Sequence, residues 1–82
     1  MRIDKYLKVS RLIKRRTVAQ NACAGGKVSI NGKIVKSGAP VKVGDVITIA
    51  FGTKPLSVRV LEVSETVRKE MADGMYEVVD TP

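Results

Sequence analysis

The chain has 82 residues, one cysteine and no histidine or tryptophan, so an intrachain disulfide framework and a metal site built from cysteine and histidine are excluded. Its net charge of +7 is unevenly divided: residues 1–36 hold ten Lys and Arg against one acid, Asp4, for +9, while residues 37–82 hold five against seven, for −2. Such a basic half matches a surface made for a polyanion, and no apolar run approaches the roughly 20 residues of a membrane span.

In chain order, Ile3 to Val9 is predicted as a short helix. Asp4 is placed as its cap or first-turn acid, Ile3 and Leu7 share a face with Tyr6 close by, and Asp4 and Lys8 form an acid-first pair four apart. Ser10 to Arg16 connects to a second helix. There Thr17 and Gln20 have the spacing of a capping box, and Val18, Ala19, Ala22 and Cys23 form a stripe of small apolar residues. Gly25-Gly26 is expected to stop this helix.

A hairpin follows, Lys27–Ile30 and Lys33–Val35 about an Asn31-Gly32 turn. Ser37 to Pro40 is loop and Gly44-Asp45 a turn. Val46 to Phe51 reads as a strand with Ile47, Ile49 and Phe51 on one face, and Gly52 to Pro55 turns the chain. Leu56 to Val63 is a further strand, Ser64 to Asp73 a short helix and Met75 to Val79 a last strand. The class is therefore α+β: two N-terminal helices packed on a small antiparallel sheet, with a short C-terminal helix and strand.

The chemistry points to binding. Arg2 and Lys5 share a helix face, while Arg11, Lys14, Arg15 and Arg16 flank the entry to the second helix, whose free N–H groups add to the attraction for phosphate. Arginine clamps phosphate with paired hydrogen bonds and lysine adds point charge. The hairpin lysines Lys27, Lys33 and Lys36 serve equally as phosphate contacts or as guards of an edge strand. With Tyr6, Phe51 and Tyr76 as the only aromatics, a stacking platform for unpaired bases is missing, which favours a structured target. Phe51 is assigned to the core and Tyr6 half to it. Cys23 has the setting of an inert packed thiol. No histidine base or phosphate-cradling glycine motif supports an independent enzyme, and no cofactor or metal is expected.

The segments Arg2-Ile3-Asp4-Lys5-Tyr6-Leu7, Lys14-Arg15-Arg16-Thr17-Val18-Ala19, Gly26-Lys27-Val28-Ser29-Ile30-Asn31-Gly32-Lys33 and Gly44-Asp45-Val46-Ile47 together resemble the RNA-binding domain of bacterial ribosomal small-subunit protein four. The match covers about residues 1–51. It departs at Ile3, where leucine is common, and at Arg16-Thr17, where Ser-Arg is frequent. The resemblance implies an L-shaped helix pair against a small sheet, with residues 52–82 completing one RNA-binding domain over 1–82.

The opening from Met1 to Gln20 and the pair Met75-Tyr76 resemble more closely the RqcP family of small ribosome-quality-control factors. The chain is also similar to the fifteen-kilodalton heat-shock family, without that family's long basic C-terminal extension. This likeness implies a cytoplasmic, ribosome-associated monomer on the obstructed large ribosomal subunit. It would contact 23S rRNA and peptidyl-tRNA and work with an RqcH-like protein during template-free alanine tailing. Carried onto this sequence, the RNA contacts fall first on Arg2 and Arg16, with Asp4 organising that corner, and then on Arg11, Lys14 and Arg15. A general ribosome recycling or assembly factor, a protein-interaction adaptor and an enzyme subunit are the rival expectations.

Overall fold

The computed structural model describes residues 1–64 and 74–79, apart from the side chain of Phe51. Two helices, α1 (Ile3–Val9) and α2 (Arg16–Ala24), precede five strands: β1 (Val28–Ile30), β2 (Lys33–Ile34), β3 (Val46–Phe51), β4 (Lys54–Val60) and β5 (Tyr76–Val79). All pairings are antiparallel and the sheet order is β2-β1-β3-β4-β5. The α+β class expected from the sequence is the one observed.

The first helix forms where the apolar spacing places it, and Ile3, Tyr6 and Leu7 are fully buried. Its free N-terminal amides are met by the loop that follows β2: Ile3 N–H donates to Ala39 O at 2.8 Å and Asp4 N–H to Ser37 O at 3.3 Å. Met1 O accepts from Val41 N–H at 2.9 Å, which laces the chain start to residues 37–41. Of the two places expected for Asp4, the structure gives the first-turn acid: Arg2 is the cap, and the Asp4 side chain turns inward. Ala19 and Cys23 are the buried members of the α2 stripe, and both join the cluster that holds Ile3, Tyr6 and Leu7. Val18 is half exposed.

The Thr17–Gln20 capping box does not form. The second helix starts two residues earlier, Arg15 is its cap without a side-chain hydrogen bond, and the Gln20 amide donates to Asp4. A carboxylate without solvent exposure needs donors, and the Gln20 side chain turns to supply one instead of reaching back along its own helix.

Asn31 (φ 51°) and Gly32 (φ 85°) make the tight turn that their types favour. Asn31 does more than turn: its Oδ1 accepts from Val46 N–H at 2.9 Å and its Nδ2 donates to Asp45 Oδ1 at 3.1 Å, tying the hairpin to the start of β3. Asp45 also accepts from Lys42 N–H at 2.9 Å, so its role is conformational.

The turn expected over Gly52 to Pro55 is shorter. Phe51 pairs with Lys54, and Pro55 lies within β4 opposite Ala50. Ala50 sends its N–H to Lys27 O on the β1 side, so the missing proline N–H costs this ladder nothing. At its far end β4 stops at Val60 instead of Val63, because the N–H groups of Leu61 and Glu62 both turn to Met75 O. The last strand begins at Tyr76. Of the helix expected from Ser64 to Asp73, residues 65–73 lie outside the described residues, as does the Phe51 side chain.

Across the sheet, the registers Ile30–Ile47–Val58 and Val28–Ile49–Leu56 place apolar rows on one face. Val28, Ile47, Ile49 and Val58 are buried in the cluster that contains the helix residues. Ser29, Thr48 and Ser57 align on the other face, with Thr48 and Ser57 hydroxyls 2.9 Å apart. Tyr6 is buried completely, more than its expected half, and its hydroxyl donates to Met75 O at 2.7 Å. That bond joins α1 to the chain just before β5.

Candidate nucleic-acid interface

The site is organised by one carboxylate. Asp4 has no solvent exposure, yet it is surrounded by donors. Its Oδ1 accepts from Lys5 N–H at 2.8 Å, and its Oδ2 accepts from Gln20 Nε2 at 3.0 Å and Arg16 Nε at 3.3 Å. Arg2 closes the ring, Nη2 to Oδ2 and Nε to Oδ1, each at 3.3 Å. Burial by itself would push this carboxyl up. The hydrogen bonds from Gln20, Arg16 and the Lys5 amide, with the Arg16 charge, outweigh it and hold the group below its ordinary value.

The consequence lies in what the arginines keep. Their side chains remain 53% and 41% exposed while one edge of each rests on Asp4. Each guanidinium has five N–H donors, so both retain donors toward solvent with part of their rotamer freedom already spent. Arg2, Lys5 and Arg16 line one shallow concavity with Met1, Gly38 and Pro40. A preorganised pair of arginines in such a hollow suits phosphate oxygens.

The remaining expected contacts divide into separate places. Arg11 and Lys14 line a second concavity together with Lys8 and Val9. Arg15 is exposed at the start of α2. Lys27 borders a groove with Val18, Asn21 and Ile49, and Lys36 another with Cys23, Ile34 and Val35. Lys33 is exposed on β2, the edge strand. The structure thus brings Arg2, Lys5, Arg16 and Asp4 together, gathers Arg11 and Lys14 elsewhere, and leaves the hairpin lysines outside both groups.

Two participants escaped the sequence reading. Gln20 is an organiser of the Asp4 corner, and Lys8 belongs with Arg11 and Lys14. The three-residue spacing of Lys8 and Arg11 was a usable signal; the Gln20 contact, sixteen residues from Asp4, had none. Cys23 is buried, and burial followed by the charge of Asp4 pushes its thiol up, consistent with an inert packing role.

A model of the S4 domain matches residues 1–47. The chain belongs to the S4 domain family. Within that family, this S4 protein is 54% identical to the RQC P-site tRNA stabilizing factor of Halalkalibacterium halodurans, over 95% of the chain and 89% of the relative. It is 49% identical to the factor of the same name in Bacillus subtilis, over 96% of the chain and 92% of the relative. These identities place it among those factors and bear out the resemblance to small ribosome-quality-control proteins. The fold matches that of Vibrio cholerae heat shock protein 15, solved as a trimer, with a TM-score of 0.88 and 31% identity over 96% of this chain and 81% of that one.

Proposed function

We propose that this chain is an RNA-binding ribosome-quality-control factor that acts by binding and not by catalysis. In this reading the whole of residues 1–82 works as one unit in the cytoplasm, as a monomer on the obstructed large ribosomal subunit. It holds 23S rRNA and the P-site peptidyl-tRNA, and with an RqcH-like protein it supports template-free alanine tailing. The observation that carries the proposal is the buried Asp4 bracing two half-exposed arginines, one at the cap of α1 and one in the first turn of α2. The names of the relatives supply the setting. To stabilise one tRNA position the protein must bind that state more tightly than its competitor, since equal affinity for both shifts nothing.

Co-sedimentation with purified large subunits, with and without peptidyl-tRNA, across a salt series tests this. Binding that strengthens with tRNA and weakens with salt is the expected result. Arg2→Ala and Arg16→Ala should each weaken it while leaving the fold intact, and each should lower the salt slope by roughly one unit. No binding to either form of the subunit defeats the proposal. The likeness to heat shock protein 15 favours a second reading, a general recycling or assembly factor. Deleting the gene and measuring alanine tails separates them, because only the quality-control reading requires tails to be lost.

A further inference from the structure

The two ends of α1 carry different cationic groups. Arg2, Lys5 and Arg16 line the hollow at its start, and Lys8, Arg11 and Lys14 line the one at its end, with no residue in common. The second group has an unusual backbone. Arg11 has φ 65°, directly after the C-cap Ser10, and its N–H donates to Lys8 O at 3.0 Å while Ile13 N–H donates to Leu7 O at 3.0 Å. Helices that end this way favour glycine, because an L side chain is strained in the left-handed region. Elsewhere among the described residues the chain meets positive φ with glycine, at Gly26, Gly32, Gly44 and Gly52, or with Asn31, a type that tolerates it. Arg11 is where a long cationic side chain stands against the backbone preference, and such outliers gather at functional sites.

Charge sharpens the point. Among the described residues, no ion pair or side-chain hydrogen bond engages Lys8, Arg11 or Lys14. The one acid of the first 36 residues, Asp4, is spent at the other end of the helix. Attraction to the α1 dipole accounts for Lys8, which lies in the last turn, but that effect fades within a turn and does not explain Lys14. Three cations that line one hollow repel one another, and an anion with closely spaced charges between them would relieve that repulsion.

We propose that Lys8, Arg11 and Lys14 form a second site for RNA phosphate backbone, separate from the Asp4-braced corner, so that the chain grips two backbone segments at once. The inference rests on the RNA-binding reading above. The corner is held in shape by a buried carboxylate, whereas the second site has no such brace among the described residues and adapts to its ligand.

The test compares Arg11→Gly and Lys14→Gln with the parent protein, using purified deacylated tRNA in a salt series and thermal unfolding in parallel. Arg11→Gly should unfold at the same temperature or higher, because glycine relieves the strain, yet bind tRNA more weakly with a salt slope shallower by roughly one unit. Lys14→Gln should show the same loss of affinity with no change in unfolding. Parent-like binding by both variants overturns the proposal. If Arg11→Gly unfolds earlier, Lys14→Gln decides alone: weaker binding supports the site and unchanged binding overturns it.

Large subunits with and without peptidyl-tRNA then identify the source of the backbone. A loss confined to tRNA-bearing subunits assigns the site to tRNA, and an equal loss on both assigns it to ribosomal RNA. Should the parent bind tRNA through Arg11 but not bind subunits, the ribosomal reading falls and the site stands. If the parent binds neither, both fall.

Discussion

Asp4 is a carboxylate with no exposure to water whose partners come from its own helix, from the residue before it and from α2. Removing a charge in this setting leaves donors unpaired, so Asp4→Asn should destabilise the fold by about 1–3 kcal/mol. The pH dependence has a defined sign. The folded-state pKa lies below the ordinary value, so the stabilisation is complete above the unfolded value of about 4. It is lost as pH falls through the lower folded value. Urea midpoints of the parent and Asp4→Asn should differ by a constant amount between pH 5 and 8, and the difference should shrink below about pH 4. Tyr6 offers a second check. Burial, with a smaller contribution from Tyr76, raises its hydroxyl far above the normal range, so it stays a donor well above neutral pH. Tyr6→Phe should cost about 0.5–1.5 kcal/mol. The lower end is expected, because Met75 O keeps the Leu61 and Glu62 amides as donors.

At the scale of elements, the hairpin shows how one residue serves two purposes. Asn31 supplies a left-handed turn position and also two side-chain bonds that join β1–β2 to the Asp45-Val46 segment. Asn31→Ala removes both at once. It should lower stability by about 1–3 kcal/mol, one part from φ and one from the bonds. Amide exchange at Val46 should accelerate more than exchange at Val58, which lies on the neighbouring strand β4. The α1–α2 pair is different in kind: the small residues Ala19 and Cys23 are buried in one core with Ile3 and Leu7, and the polar bridge through Asp4 spans the two helices once those sides have met. The capping box is absent at this scale because Gln20, although three residues from Thr17, has a buried acceptor on the other helix.

For the molecule as a whole, charge is sorted by tertiary structure into places the sequence does not distinguish. Extents of 29 × 26 × 21 Å put the basic half within a few Debye lengths of any RNA it meets, taking about 10 Å at 0.1 M salt. All of its cations therefore contribute to encounter, and fewer to the final grip. Gln variants of Lys27, Lys33 and Lys36, which border other grooves or the sheet edge, should reduce large-subunit affinity less than Arg2→Ala or Arg16→Ala. Equal losses from both sets would place the hairpin in the interface on the same footing as the corner.

The sequence by itself determined the elements whose causes are local. The Ile3–Leu7 spacing makes a helix, Asn31-Gly32 makes a turn, and alternation in Val46–Phe51 makes a strand with Ile47 and Ile49 inward. The excess of ten Lys and Arg over one acid before residue 37 was enough to point to a polyanion, because charge sign survives any fold. The family resemblance already put Arg2, Arg16 and Asp4 at one corner; only the tertiary structure decided that Asp4 is fully buried there with Gln20 as a further donor, and that Lys8 joins Arg11 and Lys14. Those outcomes depend on which side of α2 meets α1. That is settled by burying Ala19, Cys23, Ile3 and Leu7 in one core, a condition on residues far apart in the chain that no local spacing expresses.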